Sequence, residues 1–178
     1  GIYRHNEKLD GAPFNISELR INPNSKKIVD YVRSKGYIPI IITNQPDFLK
    51  RNILLKNYEE ITTKICSKLG IERSQVFECF HRHPFSLECK CRKPEPGLIL
   101  MAKGLYDLSL EQSWLIGDSW RDIAAGIKAG IKNTIFLKRN PILDKQAGNL
   151  DSIERISELN LNPKYIIEEI LEVQKILK

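Results

Sequence analysis

Apolar positions along the chain alternate between two periods, one helical and one extended. Residues 23–36, PNSKKIVDYVRSKG, set Ile28, Val29 and Val32 on one face, with Asn22 ahead as N-cap and Gly36 as the stop, which predicts a helix. The next run, YIPIIITNQ (37–45), is short, isoleucine-rich and bounded by turn formers, the pattern of a fully buried strand in a parallel sheet. NYEEITTKICSKLG returns to the helical period through Tyr58, Ile61, Ile65 and Leu69 and ends in glycine. QVFECF reads as the next strand. EPGLILMAKGLYDL opens with proline and predicts a helix whose buried stripe is Leu98, Met101, Ala102 and Leu105. SWLIGD, SWRDIAAGIKAG and NTIFLK then read as strand, short helix and strand. From Arg139 a polar connector leads to YIIEEILEVQKILK, a short extended piece running into a terminal helix. Strands alternating with helices imply βαβ units, so the expected fold is α/β and Rossmann-like: a three-layer sandwich with a central parallel sheet and helices on both faces.

Composition narrows the class. At 178 residues, with 42% hydrophobic and 28% charged residues, the chain has the make-up of one globular domain spanning 1–178, large enough to bury a core. No apolar run approaches membrane-spanning length and GIYRHNEKLDG has no signal-peptide core, so the expected setting is cytoplasmic, without a membrane partner. The net charge of +6 suits nucleic acid and a small phosphorylated substrate equally well.

Three of the four cysteines and two of the three histidines crowd into residues 78–97, ECFHRHPFSLECKCRKPEPG. Cytosolic cysteines stay reduced, so such a group points to a metal more than to a disulfide. Cys79, His81, Cys89 and Cys91 offer three thiolates and one imidazole in a loop spanning 79–91, a donor set that fits a structural zinc ion with no open position for water. The loop between the pairs holds Phe85 and Leu87, too little apolar material to fold alone, so metal would supply its ordering energy. His83 is a spare that could replace His81. Chance crowding of reduced thiols is the alternative, and Cys66 is expected to be a small buried hydrophobe.

In open parallel sheets the chemistry sits beyond the carboxyl ends of the strands. Those ends carry Thr43, Asn44 and Gln45, then the cysteine loop with Arg92 and Lys93, then Asp118 with Asp122. Each alone is ordinary: a threonine after a strand is usually a cap, a lysine is usually solvated, and Gly-Asp usually marks a turn. Together, a hydroxyl with an amide, a lysine and two carboxylates make the set that phosphoryl transfer requires.

TNQPD, the Cys-x-His and Cys-x-Cys pairs, CRKPEPG and IGDSWRDIAAGIKAG resemble the haloacid dehalogenase superfamily, in the branch holding heptose-bisphosphate and histidinol-phosphate phosphatases. The resemblance runs from Gly1 to about Leu137 and loosens beyond, so the role of 139–178 stays open. It implies a magnesium-dependent phosphomonoesterase working through an aspartyl phosphate, with D-glycero-D-manno-heptose 1,7-bisphosphate or histidinol phosphate as substrate. It implies that Thr43 binds the transferring phosphoryl with Asn44 beside it orienting the site, that Lys93 neutralises charge, and that Asn44, Gln45 and Arg92 bind substrate. Asp118 is then the magnesium ligand and Asp122 an outer-shell acid. The zinc loop would shape the substrate mouth in place of a large cap domain, and family members of this size without a cap are often monomers.

One departure stands out. The family's nucleophile lies on an apolar first strand ending D-x-D-G, and GIYRHNEKLDGAPF resembles the stretch just after that motif, with Gly1 in the place of its glycine. Asp10 sits in a polar turn without a preceding strand and does not substitute. The expectation is a further strand of roughly ten residues upstream of Gly1. Were the nucleophile truly absent, the reading would turn to a pseudophosphatase that binds a ligand or partner. A zinc-dependent nucleic-acid binder ranks lowest, since no tandem fingers appear and aromatics do not interleave with the basic residues.

Overall fold

The structure is a computed structural model that describes residues 2–3, 13–45, 53–81, 89–138 and 152–177. Gly1, Asp10, His83, Phe85 and Leu87, which enter the sequence expectations, lie outside the described residues. The chain divides into two compact units, Gly1–Leu87 with Ile170–Lys178, and Glu88–Glu169.

In the first unit, strand β1 (Ile2–Tyr3) pairs antiparallel with β2 (Arg20–Ile21). Helix α1 (Asn24–Ser34) starts one residue later than an Asn22 cap would place it: Pro23 is the N-cap and makes no side-chain capping bond, while the Asn22 side-chain oxygen accepts the Asn24 amide at 2.9 Å. Strand β3 (Ile41–Asn44) runs parallel to β4 (Val76–Cys79), with Thr43 opposite Glu78 and Asn44 opposite Cys79. Helix α2 (Leu55–Leu69) buries Tyr58, Ile61, Ile65, Cys66 and Leu69, the face its period predicts. Its Ile61, Ile65, Cys66 and Leu69 form a core with Ile71, against which Ile21, Val29, Ile41 and Val76 pack. Cys66 is thus a core hydrophobe, and burial pushes its thiol pKa up. The Tyr58 hydroxyl donates to Glu78, and Arg73 pairs with the other Glu78 oxygen, so the acid beside Cys79 is held from two sides. Residues 41–44 are each half-buried, where the isoleucine run predicts full burial. Among the described residues β3 has β4 as its one neighbouring strand, which covers a single edge. The unit closes with a 3-10 turn, Ile170–Glu172, and a short helix, Val173–Ile176; the Tyr31 hydroxyl donates to the carbonyl of Gln174 at 3.0 Å.

In the second unit, helix α3 (Gly97–Tyr106) precedes β5 (Trp114–Gly117), α4 (Trp120–Ala129), β6 (Asn133–Leu137), α5 (Ser152–Glu158) and β7 (Tyr165–Ile167). The sheet order is β5-β6-β7, all parallel, with Trp114 opposite Asn133 and Ile135 opposite Tyr165. Its core holds Leu98, Ala102, Leu115, Ile123, Ile135 and Phe136. The predicted stripe of α3 is corrected: Leu98, Ile99 and Ala102 are buried, whereas Met101 and Leu105 are 58% and 64% exposed. GLILMAKGLY is apolar on nearly every face, so its period cannot say which face turns inward. Helix α5 lies in the stretch that reads as polar connector and was not anticipated. Among the described residues no helix is long and apolar enough to cross a membrane.

Candidate active site and metal centre

The carboxyl end of β5 carries the charged groups. Asp118 is the first residue past the strand and is half-buried. Ser119 caps α4, its side chain accepting the Arg121 amide at 3.3 Å, while the Asp122 Oδ2 accepts the Ser119 amide at 3.0 Å; the two close a reciprocal capping box. The other Asp122 oxygen meets the Lys93 ammonium at 2.5 Å, with the two side chains only 12% and 11% exposed. Removing either partner would strand a buried charge. Gly117 makes room for this: a Cβ there would lie 2.2 Å from the Asp122 Cβ. Arg121 follows on the same first turn. Burial lowers the pKa of its guanidinium and the charges of Arg92 and Arg155 lower it further, against the pull of Asp122.

Lys93 is delivered by a tight loop. The Gly97 amide donates to the Lys90 carbonyl at 3.0 Å, and a Cβ on Gly97 would sit 2.4 Å from that oxygen. The Glu95 amide donates to the Arg92 carbonyl at 2.9 Å, and Lys128 of α4 pairs with Glu95 at 2.5 Å. The loop that presents Arg92 and Lys93 is therefore pinned to the helix that holds Asp122.

Cys79, His81, Cys89 and Cys91 bring their ligand atoms within 4.8 Å of one another. Cys79 Sγ and His81 Nδ1 are 3.4 Å apart, and the sulfurs of Cys89 and Cys91 are 3.3 Å apart. An ideal zinc tetrahedron with Zn–S bonds of about 2.3 Å separates its sulfurs by about 3.8 Å, so the spacing suits a single ion. The Arg92 amide donates to the Cys89 sulfur at 3.3 Å. Three sulfurs and one imidazole can hold a metal ion, and the donor set fits zinc.

At the carboxyl end of β3, Thr43, Asn44 and Gln45 are half-buried and uncharged. The Gln45 side-chain amide donates to the Thr43 hydroxyl at 3.2 Å, and the Gln45 backbone amide donates to the Cys79 carbonyl at 2.8 Å. Thr43 Oγ1 thus accepts one hydrogen bond and keeps its own proton to donate.

The structure brings together Lys93 with Asp122, Thr43 with Gln45, and the four metal-ligand candidates. The sequence reading missed Gly117, Gly97 and Ser119. Their signal was weak: two glycines beside a strand end and a proline look like ordinary turns, and the close approaches that require them appear only in three dimensions.

A haloacid dehalogenase-like hydrolase model matches residues 3–130, and a related HAD-hydrolase-like model matches 90–173. The D-glycero-beta-D-manno-heptose-1,7-bisphosphate 7-phosphatase of Helicobacter pylori (strain ATCC 700392 / 26695) is 35% identical over 120 residues, covering 65% of this chain and 68% of that protein. The D-glycero-alpha-D-manno-heptose-1,7-bisphosphate 7-phosphatase of Photorhabdus laumondii is 35% identical over 116 residues, covering 60% of this chain and 63% of that protein. The crystal structure of a D,D-heptose 1,7-bisphosphate phosphatase from B. bronchiseptica, complexed with magnesium and phosphate, matches with a TM-score of 0.70 at 19% identity, covering 97% of this chain and 94% of that one, and so shares its fold. With one family model spanning residues 3–130, this chain belongs to the haloacid dehalogenase-like hydrolases.

Proposed function

We propose that this protein is a magnesium-dependent phosphomonoesterase that removes the 7-phosphate of a D-glycero-D-manno-heptose 1,7-bisphosphate. The observation that carries the reading is the buried Lys93–Asp122 pair beside Asp118 at the end of β5. The names of the relatives supply the substrate class.

The residues fit magnesium by donor chemistry. Asp118 presents hard carboxylate oxygens at a strand end, whereas both Asp122 oxygens are already committed to Lys93 and to the Ser119 amide. Asp118 is thus the proposed ligand, and Asp122 acts from behind it by fixing Lys93. When bound, magnesium offsets charge on the phosphoryl oxygens and orients the ester. Lys93 adds a fixed cation for the same oxygens and Arg92 reaches the rest of the substrate, while the family resemblance gives Thr43 the role of donating its hydroxyl proton to the phosphoryl, with Asn44 and Gln45 beside it in the chain. Transfer to an aspartate carboxylate followed by hydrolysis is the two-step route that the family resemblance implies. The Cys79, His81, Cys89 and Cys91 set would hold a structural zinc ion that orders the loop ahead of Arg92 and Lys93.

The test is phosphate release from heptose 1,7-bisphosphate and from histidinol phosphate, each with and without magnesium. The proposal expects magnesium-dependent release from the heptose ester and little from the other. Release from histidinol phosphate alone, or release that ignores magnesium, would overturn it.

A further inference from the structure

Outside the Lys93–Asp122 pair, positive charge gathers on a single indole ring. The guanidinium carbon of Arg121 lies 4.7 Å from the centre of the Trp120 ring, and that of Arg155 lies 5.6 Å from it. Trp120 and Arg121 open α4 immediately after Asp118 and Ser119, while Arg155 comes from α5, more than thirty residues later. Two distant guanidiniums on one ring leave their donor edges to other partners. The charge of Asp122 acts on Arg121, but the hydrogen bonds of its oxygens go to Lys93 and the Ser119 amide and not to the guanidinium. Arg155 has Glu158 at 2.7 Å, an exposed pair one turn apart whose hold is slight. Among the described residues no side chain or carbonyl accepts a hydrogen bond from the Arg121 guanidinium, and the charge of Arg92 acts on it as well. Like charges gathered with so little neutralisation repel, and an anion bound there relieves the repulsion.

We infer that Arg121 and Arg155, set against Trp120, form an anion subsite that takes the second, unreacting phosphate of a doubly phosphorylated substrate. This deepens the proposed function and rests on it. Guanidinium forks suit a phosphate dianion by paired, charge-assisted hydrogen bonds, and the indole limits their side-chain freedom before the ligand arrives. The subsite would make the protein favour a bisphosphate over a monophosphate of the same sugar, a discrimination that Lys93 and Asp118 cannot make, since both substrates offer them the same ester.

The test compares kcat/KM for heptose 1,7-bisphosphate and heptose 7-phosphate in the unsubstituted protein and in Arg121→Gln and Arg155→Gln. Arg121 is exposed and Arg155 half-buried, and unchanged thermal midpoints verify folding. Each substitution is expected to lower the preference for the bisphosphate about tenfold, with the change carried by KM. An unchanged preference, or equal losses on both substrates, overturns the inference while leaving the proposed function standing. An unsubstituted protein that hydrolyses neither heptose ester overturns both, and is told apart because the failure precedes any substitution.

Discussion

The Lys93–Asp122 site and the Cys/His cluster are two ways of gathering polar groups that would otherwise repel or go unsatisfied. The first is completed by the protein itself: one carboxylate takes an ammonium on one oxygen and a helix-cap amide on the other, in a space that Gly117 keeps open. The second would be completed from outside: three sulfurs and a histidine whose ligand atoms lie within 4.8 Å of one another could hold a metal ion. The difference teaches where each is vulnerable. A closed ionic pair fails by steric intrusion or loss of a partner, while an open ligand cluster fails when a ligand or the metal is removed.

The largest expected effect comes from intruding on the closed site. Gly117→Ala puts a methyl group 2.2 Å from the Asp122 Cβ, and since both carbons are fixed to backbone neither can yield cheaply. The expected result is about 2 kcal/mol of lost stability in denaturant titration, with a fall in kcat/KM of about a hundredfold as Lys93 is displaced. Normal stability and activity would break the contrast. Cys89→Ser should act first on the other region: zinc by elemental analysis falls below one equivalent per chain and the thermal midpoint drops, with magnesium still required for any remaining activity. Full zinc retention would count against the ligand set. Smallest is Thr43→Val, which removes one neutral donor of similar size and should cost about tenfold in kcat/KM with little change in stability. A loss as large as that of Gly117→Ala would show that the uncharged strand end matters as much as the ionic one.

Much of the fold was legible because helix and strand periods are local. The parallel pairing of β5 with β6 follows from strands separated by a helical stretch, and the α2 face follows from Tyr58, Ile61, Ile65 and Leu69. The α3 face was not legible, because Leu98 and Met101 look alike in a helix that is apolar nearly all round. Two-residue strands such as Arg20–Ile21 carry no period at all. Helix α5 hid in a polar stretch, where Ile156 alone of its apolar pair is buried. In the site, the ligand pairs and the strand-end acids were visible as residue types at characteristic spacings. The Lys93–Asp122 contact across twenty-nine positions was not, nor was Arg155 stacking over Trp120, because sequence distance says nothing of which distant side chains meet.

The central claim is that Asp118 holds the catalytic magnesium. Asp118→Asn keeps the shape of the side chain and removes its charge, so the direct measurement is magnesium-dependent phosphate release from heptose 1,7-bisphosphate by this variant, with zinc content determined on the same sample. The account predicts release below about one hundredth of the unsubstituted protein's, with zinc unchanged at one equivalent. Undiminished, magnesium-dependent release by Asp118→Asn would contradict it.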